Sequence, residues 1–445
     1  MSDTVAAVAT ALGEGGVAIV RLTGPRAVEI AAKVARGADL VAVPTHTVHH
    51  AWIHDAGGHP LDEALITVMR APRTYTGEDV VEIGAHGGAV PARRVLRAVL
   101  AAGARLAERG EFTRRAFVNG RLDLSRAEAV IDLVTARTER AADAALSALA
   151  GGVARETLNV ESRLLDLLAR LEVNLDFNED VGAAGAEEIE RQLTACRQEL
   201  ERLAARAPWG RRLRDGATVA IIGRPNVGKS SLFNALVRDD RAIVNEEPGT
   251  TRDWLEAWID LDGMPVRLLD TAGQRDAGTG AEAEGVRRAE RLAADADLRL
   301  IVLDASREVE AEDRRVLERT EAAARIIVWN KSDLASGRSR GHDLRVSART
   351  GAGVDALRAE LAEALLQGVG REPADAIIPG ERHEEALRRA VESLRLADAS
   401  RREGRTEELI AGDVRDAVTA LGEITGKTVD EEVLDRIFSR FCIGK

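Results

Sequence analysis

Two regimes of hydrophobic patterning alternate along the chain. From Val5 to about Phe117, short apolar runs are separated by glycine-rich turns. Gly13-Glu14-Gly15-Gly16 precedes Val17-Ala18-Ile19-Val20, and Asp55-Ala56-Gly57-Gly58 parts two strand-like runs, which is the punctuation of an α/β domain. From about Leu122 to Ala207 glycine becomes sparse, and apolar residues recur at helical spacing, as in Leu164, Leu165, Leu167, Leu168 and Leu171. That spacing predicts long amphipathic helices. The stretch Pro208-Trp209-Gly210 to Asp215-Gly216 breaks the helical pattern, and strands then alternate with helices until about Gly368-Val369-Gly370-Arg371-Glu372-Pro373. Helical spacing resumes from there to the end. The economical organisation is α/β plus α: an N-terminal α/β domain over 1–118, a helical domain in two parts over 119–215 and 371–445, and an inserted α/β domain over 216–370.

Composition narrows this picture. A chain of 445 residues exceeds one core and suits roughly two to four domains. Aromatic residues make up only 3% while charged residues reach 31%, and Ala, Leu, Arg and Glu recur throughout, a mixture that favours helices. The formal net charge of -12 argues against non-specific nucleic-acid binding, so an RNA contact must be local or shared with a partner. The two cysteines, Cys196 and Cys442, form no Cys-x-x-Cys or Cys/His pairing and suit a reducing cytoplasm. Met1-Ser2-Asp3-Thr4 lacks a basic leader, and no apolar run reaches about 18 residues, so neither export nor membrane insertion is expected. Six of the eight histidines fall between His46 and His86 without metal-ligand spacing, and strand-surface positions account for them. The acidic run Asp176-Phe177-Asn178-Glu179-Asp180 reads as a solvated turn ending a helix.

Chemistry concentrates in the inserted segment. The strand candidate Ala220-Ile221-Ile222 runs into Gly223-Arg224-Pro225-Asn226-Val227-Gly228-Lys229-Ser230, followed by Ser231. This is P-loop spacing: glycines let backbone N–H groups face phosphates, Lys229 reaches the terminal phosphates, and Ser230 offers a hydroxyl to Mg²⁺. Downstream, Gly249-Thr250-Thr251-Arg252-Asp253 places Thr251 to give Mg²⁺ a second hydroxyl when a γ-phosphate is present. Val266-Arg267-Leu268-Leu269 then ends in Asp270-Thr271-Ala272-Gly273, where Asp270 suits the Mg²⁺ water shell and Gly273 can approach the γ-phosphate. Base choice falls to Asn330-Lys331-Ser332-Asp333, at the end of Ile326-Ile327-Val328-Trp329, and to Ser347-Ala348-Arg349. A carboxylate at Asp333 accepts from guanine N1–H and the exocyclic amine, whereas adenine leaves it unpaired, a mismatch worth ~10⁴ in discrimination. An ordinary strand-to-loop turn explains any one of these segments but not their order. Together they point to a Ras-like P-loop G domain that binds and hydrolyses GTP.

The flanks carry a resemblance. Gly15-Gly16-Val17-Ala18-Ile19-Val20-Arg21, Tyr75-Thr76-Gly77-Glu78-Asp79-Val80-Val81-Glu82 with His86-Gly87-Gly88, Gly110-Glu111-Phe112-Thr113 through Asn119-Gly120-Arg121-Leu122-Asp123-Leu124, and Phe441-Cys442-Ile443-Gly444-Lys445 stand in order. With Leu421-Gly422-Glu423-Ile424-Thr425-Gly426-Lys427, they resemble the MnmE (TrmE) family of tRNA-modification GTPases over essentially the whole chain. The resemblance implies an N-terminal tetrahydrofolate-binding and dimerisation domain, a central helical domain and an inserted G domain in a homodimer. It also implies an FAD-containing MnmG (GidA) type partner, forming a heterotetramer, with which the (carboxymethyl)aminomethyl group is built at carbon five of wobble uridine in certain tRNAs. The one-carbon unit comes from 5,10-methylene- or 5-formyl-tetrahydrofolate. By the same resemblance Arg21, Glu78, Arg121 and Lys445 match folate-contacting positions, although Arg121 stands where Lys is often seen, which changes the geometry of the charge. Surface salt bridges explain the same residues. Cys442 matches the cysteine of the C-terminal motif, but a thiol beside Phe441 and Ile443 also reads as a small buried hydrophobe.

The resemblance further implies K⁺ bound by Asn226 and by the loop Asn245, Glu246, Glu247, Pro248, Gly249 and Thr250, with Asn245, Glu247 and Thr250 supplying oxygens. The ion provides positive charge that no arginine finger supplies in this sequence; alternatively Asn226 merely stabilises its loop. Two residues compete to orient the attacking water. Gln274 directly follows Asp270-Thr271-Ala272-Gly273, as in Ras-type GTPases, and Glu282, with Glu284 as a neighbour, matches the glutamate of the resembling family. A ribosome-assembly or regulatory GTP switch is the alternative function. It needs an RNA-binding module, and no KH-type Gly-x-x-Gly clamp with basic flanks follows the G domain. A membrane-remodelling GTPase needs a lipid-binding segment that is likewise missing from the pattern.

Overall fold

The computed structural model describes residues 3–11, 13–177, 183–237, 242–243, 255–270, 295–334, 344–366 and 380–445. The elements in chain order are β1 (Val5–Val8), β2 (Val17–Thr23), α1 (Ala27–Val34), β3 (Ala35–Arg36), β4 (Thr47–His54), β5 (Pro60–Met69), β6 (Val80–His86), α2 (Ala89–Ala101), β7 (Arg105–Leu106) and α3 (Glu111–Val118). There follow the helices α4 (Leu124–Thr135), α5 (Glu139–Leu149), α6 (Gly152–Phe177), α7 (Ala183–Ala204) and α8 (Ala207–Asp215). Next come β8 (Ala217–Ile222), α9 (Lys229–Val237), β9 (Ala242–Ile243), β10 (Leu255–Leu261), β11 (Met264–Asp270) and β12 (Leu298–Asp304). The remainder is α10 (Ala311–Arg319), β13 (Arg325–Asn330), β14 (Leu344–Arg345), α11 (Val354–Leu365), α12 (Glu381–Arg402), α13 (Glu407–Thr425) and α14 (Glu431–Phe438).

One compact unit comprises Met1–Ile131, Ala148–Arg197 and Arg389–Lys445. Its sheet has the order β3-β4-β5-β6-β2-β1-β7. Alternation along the strands sends Val20, Leu22, Ile53, Ile66, Val68 and Ile83 to a core shared with Ile30 of α1 and Val95 and Val99 of α2. The other face divides. Over β1, Val5 and Ala7 pack with Ala107 and Phe112, and the half-buried Tyr75 leans on them. Across β4, β5 and β2 the same face leaves Val48, Trp52, Leu65 and Val17 exposed. In the helical part α6 packs along α13, burying Leu164, Leu167 and Leu171 on one helix and Val414, Ala417 and Leu421 on the other. The α6 stripe thus lies where the apolar spacing put it, except at Leu165, which is exposed. Ion pairs Lys427–Glu161 at 2.8 Å and Arg415–Glu172 at 2.7 Å flank this packing. The C-terminal α14 closes on α3 through Phe438, Phe441, Ala116 and Phe117. Of the acidic run at the end of α6, residues 178–180 lie outside the described residues.

The second unit comprises Asp132–Ser147 and Gln198–Arg388. Its sheet has the order β14-β13-β12-β8-β11-β10-β9, with β10 antiparallel to β11 and to β9 and the remaining pairs parallel. Strands buried on both faces read as nearly continuous apolar runs, as in Leu298, Leu300, Ile301, Val302 and Leu303 of β12. The stretch at Pro208 departs from the expected break. It is the first turn of α8, where proline lacks an N–H that the helix does not use. The interruption lies one step earlier, in the turn at Ala205–Arg206, and α8 ends at Gly216 with φ of 75°. Trp209 is then fully buried against Ala141 and Leu213.

Candidate functional site

The parallel strands β8, β11, β12 and β13 deliver their C-terminal ends to one edge of the second sheet, the edge outside which such folds bind ligands. β8 ends at Ile222 and α9 begins at Lys229, so Gly223 to Gly228 forms the loop between them. Asn226 and Gly228 take φ of 64° and 92°, which curls the chain so that its amides and the start of α9 can face an anion. A Cβ on Gly228 would lie 2.4 Å from Asn330 Nδ2. The Lys229 ammonium donates to the carbonyls of Gly223 and Arg224 at 2.8 Å each. Ser230 Oγ donates to Asp270 Oδ2 at 2.6 Å, which joins the start of α9 to the end of β11. A hydroxyl beside a buried carboxylate is an all-oxygen donor pair that fits Mg²⁺, an ion that takes few protein ligands and keeps several waters.

The base loop is tied to the phosphate loop. Asn330 Nδ2 donates to the Val227 carbonyl at 2.9 Å, and the Ala348 N–H donates to Asn330 Oδ1 at 3.0 Å. Lys331 Nζ donates to the Asn226 carbonyl at 2.6 Å and to Asp304 Oδ2 at 2.7 Å. Asp333 stands in a 3₁₀ turn, Ser332–Leu334. Its Oδ1 accepts from Ser347 Oγ at 2.6 Å, and its Oδ2 from the Arg349 guanidinium at 2.8 Å. The Ser347 hydroxyl, with Arg349 adding to it, holds the Asp333 carboxyl below its ordinary range, so it is ionised at neutral pH. The structure therefore brings Asn226, Val227, Gly228, Lys229, Ser230, Asp270, Asn330, Lys331, Asp333, Ser347, Ala348 and Arg349 to one edge; Ser231 follows in α9. Asn245, Glu246, Glu247, Pro248, Gly249, Thr250, Thr251, Thr271, Ala272, Gly273, Gln274 and Glu282 lie outside the described residues.

A second constellation lies on the N-terminal sheet. Arg21 of β2 bonds Glu82 at 2.7 Å and the Gly444 carbonyl at 3.2 Å, with its guanidinium 6.0 Å from the Tyr75 ring centre and 5.7 Å from that of Phe112. Glu78 accepts from Thr23 Oγ1 at 3.2 Å and from Arg115 Nη1 at 3.1 Å. Arg121 Nε donates to the Thr74 carbonyl at 3.4 Å, and the Phe112 N–H donates to the Lys445 carbonyl at 3.2 Å. Arg21, Glu78, Arg121 and Lys445 are thus gathered around Tyr75 and α3. Gly444 (φ 97°) seats the C-terminus on β1, where a Cβ would lie 2.4 Å from the Val8 carbonyl. Cys442 corrects the expectation of a small buried hydrophobe: the thiol is exposed. Phe441 is fully buried and Gly444 is held down, so Cys442 and Ile443 between them arch outward.

Sequence reasoning missed two charges. Arg115 is a fully buried guanidinium whose partners are Glu78, Glu111 and Asp3; Glu111, four positions earlier on α3, was the available signal. Asp304 ends β12 as a carboxylate after four apolar residues, and that position was its signal. The six histidines from His46 to His86 sit on or beside strands, with His50 against Glu63 and His86 against Asp62, each at 2.6 Å. Among the described residues no group of three or more His, Cys, Asp or Glu side chains is placed to hold a metal ion.

Comparison with known proteins bears on both constellations. A family profile for the MnmE helical domain matches residues 124–442, and one for the GTP-binding protein TrmE N-terminus matches residues 4–121. A relative from Symbiobacterium thermophilum, named tRNA modification GTPase MnmE, is 47% identical over 457 aligned positions, covering 100% of this chain and 99% of its own length. Relatives of the same name from Moorella thermoacetica and Chloroflexus aurantiacus are each 46% identical, covering 100% of both chains.

Proposed function

Because the chain belongs to the MnmE (TrmE) family of tRNA modification GTPases, we propose that it binds GTP with Mg²⁺ at the edge of the second sheet, hydrolyses it, and uses that cycle in the modification of tRNA. The observation that carries this reading is the Asn330 and Lys331 clamp on the carbonyls of Val227 and Asn226, which sets an ionised Asp333 at a fixed distance from the phosphate loop. Ser230 and Asp270 would hold the Mg²⁺, which neutralises charge on the phosphates when bound. Asn226, with Asn245, Glu247 and Thr250, would hold K⁺.

The N-terminal constellation would take 5,10-methylene- or 5-formyl-tetrahydrofolate. Arg21, Arg121 and Lys445 offer positive charge to its carboxylates, Glu78 offers hydrogen-bond acceptors to the pterin, and the rings of Tyr75 and Phe112 supply flat apolar surface. An exposed thiol at Cys442 is compatible with a chemical role there. The open apolar face formed by Val17, Val48, Trp52 and Leu65 supports a homodimer through the N-terminal sheet. An FAD-containing MnmG (GidA) type partner would complete a heterotetramer that builds the (carboxymethyl)aminomethyl group at carbon five of wobble uridine. The cytoplasm is the fitting compartment for such work on tRNA, and no described helix is long and apolar enough to cross a membrane.

The test is nucleoside analysis of tRNA from cells lacking this gene, complemented with the wild type or with Asp333→Asn. The wild type restores the modified wobble uridine and the variant does not. Modified uridine that persists without the gene would contradict the proposal.

A further inference from the structure

β12 belongs to none of the nucleotide motifs, yet the sheet order places it between β8, which feeds the phosphate loop, and β13, which feeds the base loop. The last residue of β12 therefore stands beside both loops. Asp304 pairs in register with Asn330, and the Ala305 N–H donates to the Asn330 carbonyl at 2.8 Å.

Asp304 is a buried carboxylate, 5% exposed. Its Oδ1 accepts from the Ser306 N–H at 2.9 Å and the Ser306 hydroxyl at 2.6 Å, and its Oδ2 accepts from Lys331 Nζ at 2.7 Å. Burial pushes this carboxyl up, but the Lys331 ammonium and the Ser306 donors outweigh burial and hold it below the ordinary range. The same ammonium donates to the Asn226 carbonyl at 2.6 Å. Asn226 and Lys331 are both left-handed, with φ of 64° and 62°, a conformation that residues other than glycine keep where their surroundings over-determine it. A lysine on a flexible stem has many places to put its charge in water. With Asp304 fixed by Ser306, this one has, among the described residues, one anionic anchor, Asp304, and one loop carbonyl, that of Asn226, to hold.

We propose that Asp304 is a positioning residue for guanine-nucleotide binding: it fixes the Lys331 ammonium, which pins the left-handed turn at Asn226 and so holds the phosphate loop in register with the base loop. The proposal rests on the guanine-nucleotide reading of this site and adds to it a carboxylate outside every nucleotide motif. Asn330 ties the two loops directly through its own amide. The Lys331 tie depends on a third strand, and Asp304 is the residue through which that strand acts.

The test is a double-mutant cycle on the affinity of the full chain for Mg²⁺-GDP, measured by calorimetry at neutral pH, with thermal unfolding followed in parallel. Asp304→Ala weakens GDP binding by about tenfold, the scale of one charge-assisted hydrogen bond. Lys331→Ala weakens it at least as much. The double variant binds no more weakly than Lys331→Ala, because without the lysine the carboxylate has nothing to position. Asp304→Asn, which keeps the shape and loses the charge, falls between wild type and Asp304→Ala, and it takes the place of Asp304→Ala in the cycle if the latter does not fold. A merely structural carboxylate would lower the unfolding temperature and leave GDP affinity as in the wild type. That result, or losses that add in the double variant, overturns the inference. Failure of the wild type to bind GDP would instead overturn the guanine-nucleotide reading, and the inference with it.

Discussion

Gly228→Ala probes the tie between the two loops most sharply. At φ of 92° the position is left-handed, and an added Cβ would meet Asn330 Nδ2 at 2.4 Å. Two costs follow. Holding an L-residue in that conformation costs about 1–2 kcal/mol. Asn330 is 1% exposed and its amide donates to the Val227 carbonyl at 2.9 Å, so pushing the amide aside leaves buried polar groups unpaired, at about 1–3 kcal/mol. Both costs fall on the ligand-competent arrangement of the loop, and their sum of roughly 2–5 kcal/mol corresponds to a loss of about 30-fold to several thousand-fold in affinity. Fluorescence titration of the full chain with GDP and GTP measures this directly. Gly404→Ala is the control: its φ of 67° carries a comparable backbone cost, but nothing lies within 4 Å of its Cβ and it stands in the turn between α12 and α13. It should lower the unfolding temperature slightly and leave nucleotide affinity unchanged. A Gly228→Ala protein that binds GDP within about threefold of the wild type would refute the reasoning.

Three further outcomes are expected. GTP hydrolysis at matched ionic strength runs faster in K⁺ than in Na⁺, and Asn226→Ala removes the difference; equal wild-type rates in the two salts would dispose of the potassium site. In single-turnover hydrolysis in K⁺, Glu282→Ala loses at least ~10² and Gln274→Ala less than about tenfold, with nucleotide binding checked in each; the reverse ranking gives the water-orienting role to Gln274. In the N-terminal unit, burial pushes the Asp3 and Glu111 carboxyls up, but bonds from Arg105 and Arg115 overcome it and leave both below their ordinary values. Groups with depressed folded pKa values contribute stability that is present above their unfolded pKa, near pH 4 to 4.5, and is lost as pH falls through the folded values. Arg105→Gln should therefore raise the pH midpoint of acid unfolding, and an unmoved midpoint would exclude this contribution.

The parts legible in the sequence are those in which chemistry is local in the chain. Ala220-Ile221-Ile222 before a glycine, and Ile326-Ile327-Val328-Trp329 before an asparagine, announce β8 and β13 because buried parallel strands are continuous apolar runs that end in a loop. The stripe from Leu164 to Leu171 announces α6 for a similar reason. Pro208 misleads because proline interrupts a helix interior but suits its first turn, and the sequence alone does not say which it is. Glu111 stands one helical turn from Arg115, but the rest of what Arg115 and Asp304 do lies in partners far along the chain: Asp3 is 112 positions from Arg115, and Lys331 is 27 from Asp304. No periodicity encodes such pairings. Cys442 is singled out by the sequence, but its exposure is not legible there. Burial statistics favour a hidden thiol, but the anchoring of Phe441 and Gly444 on either side turns it out.

On the proposed function, the site selects a guanine nucleotide for hydrolysis through Asp333, whose carboxylate is held between Ser347 and Arg349. Replacing that carboxylate by an amide keeps an acceptor for the N1–H but removes the acceptor for the guanine exocyclic amine, and supplies there a donor that suits the second carbonyl oxygen of xanthine. The most direct measurement is the hydrolysis of GTP and of xanthosine triphosphate, side by side, by the wild type and by Asp333→Asn. At subsaturating nucleotide, GTP hydrolysis by the variant should fall by at least ~tenfold as its GTP binding weakens, while its hydrolysis of xanthosine triphosphate rises. A variant whose preference for GTP over xanthosine triphosphate matches that of the wild type would contradict the assignment of Asp333 and, with it, the claim.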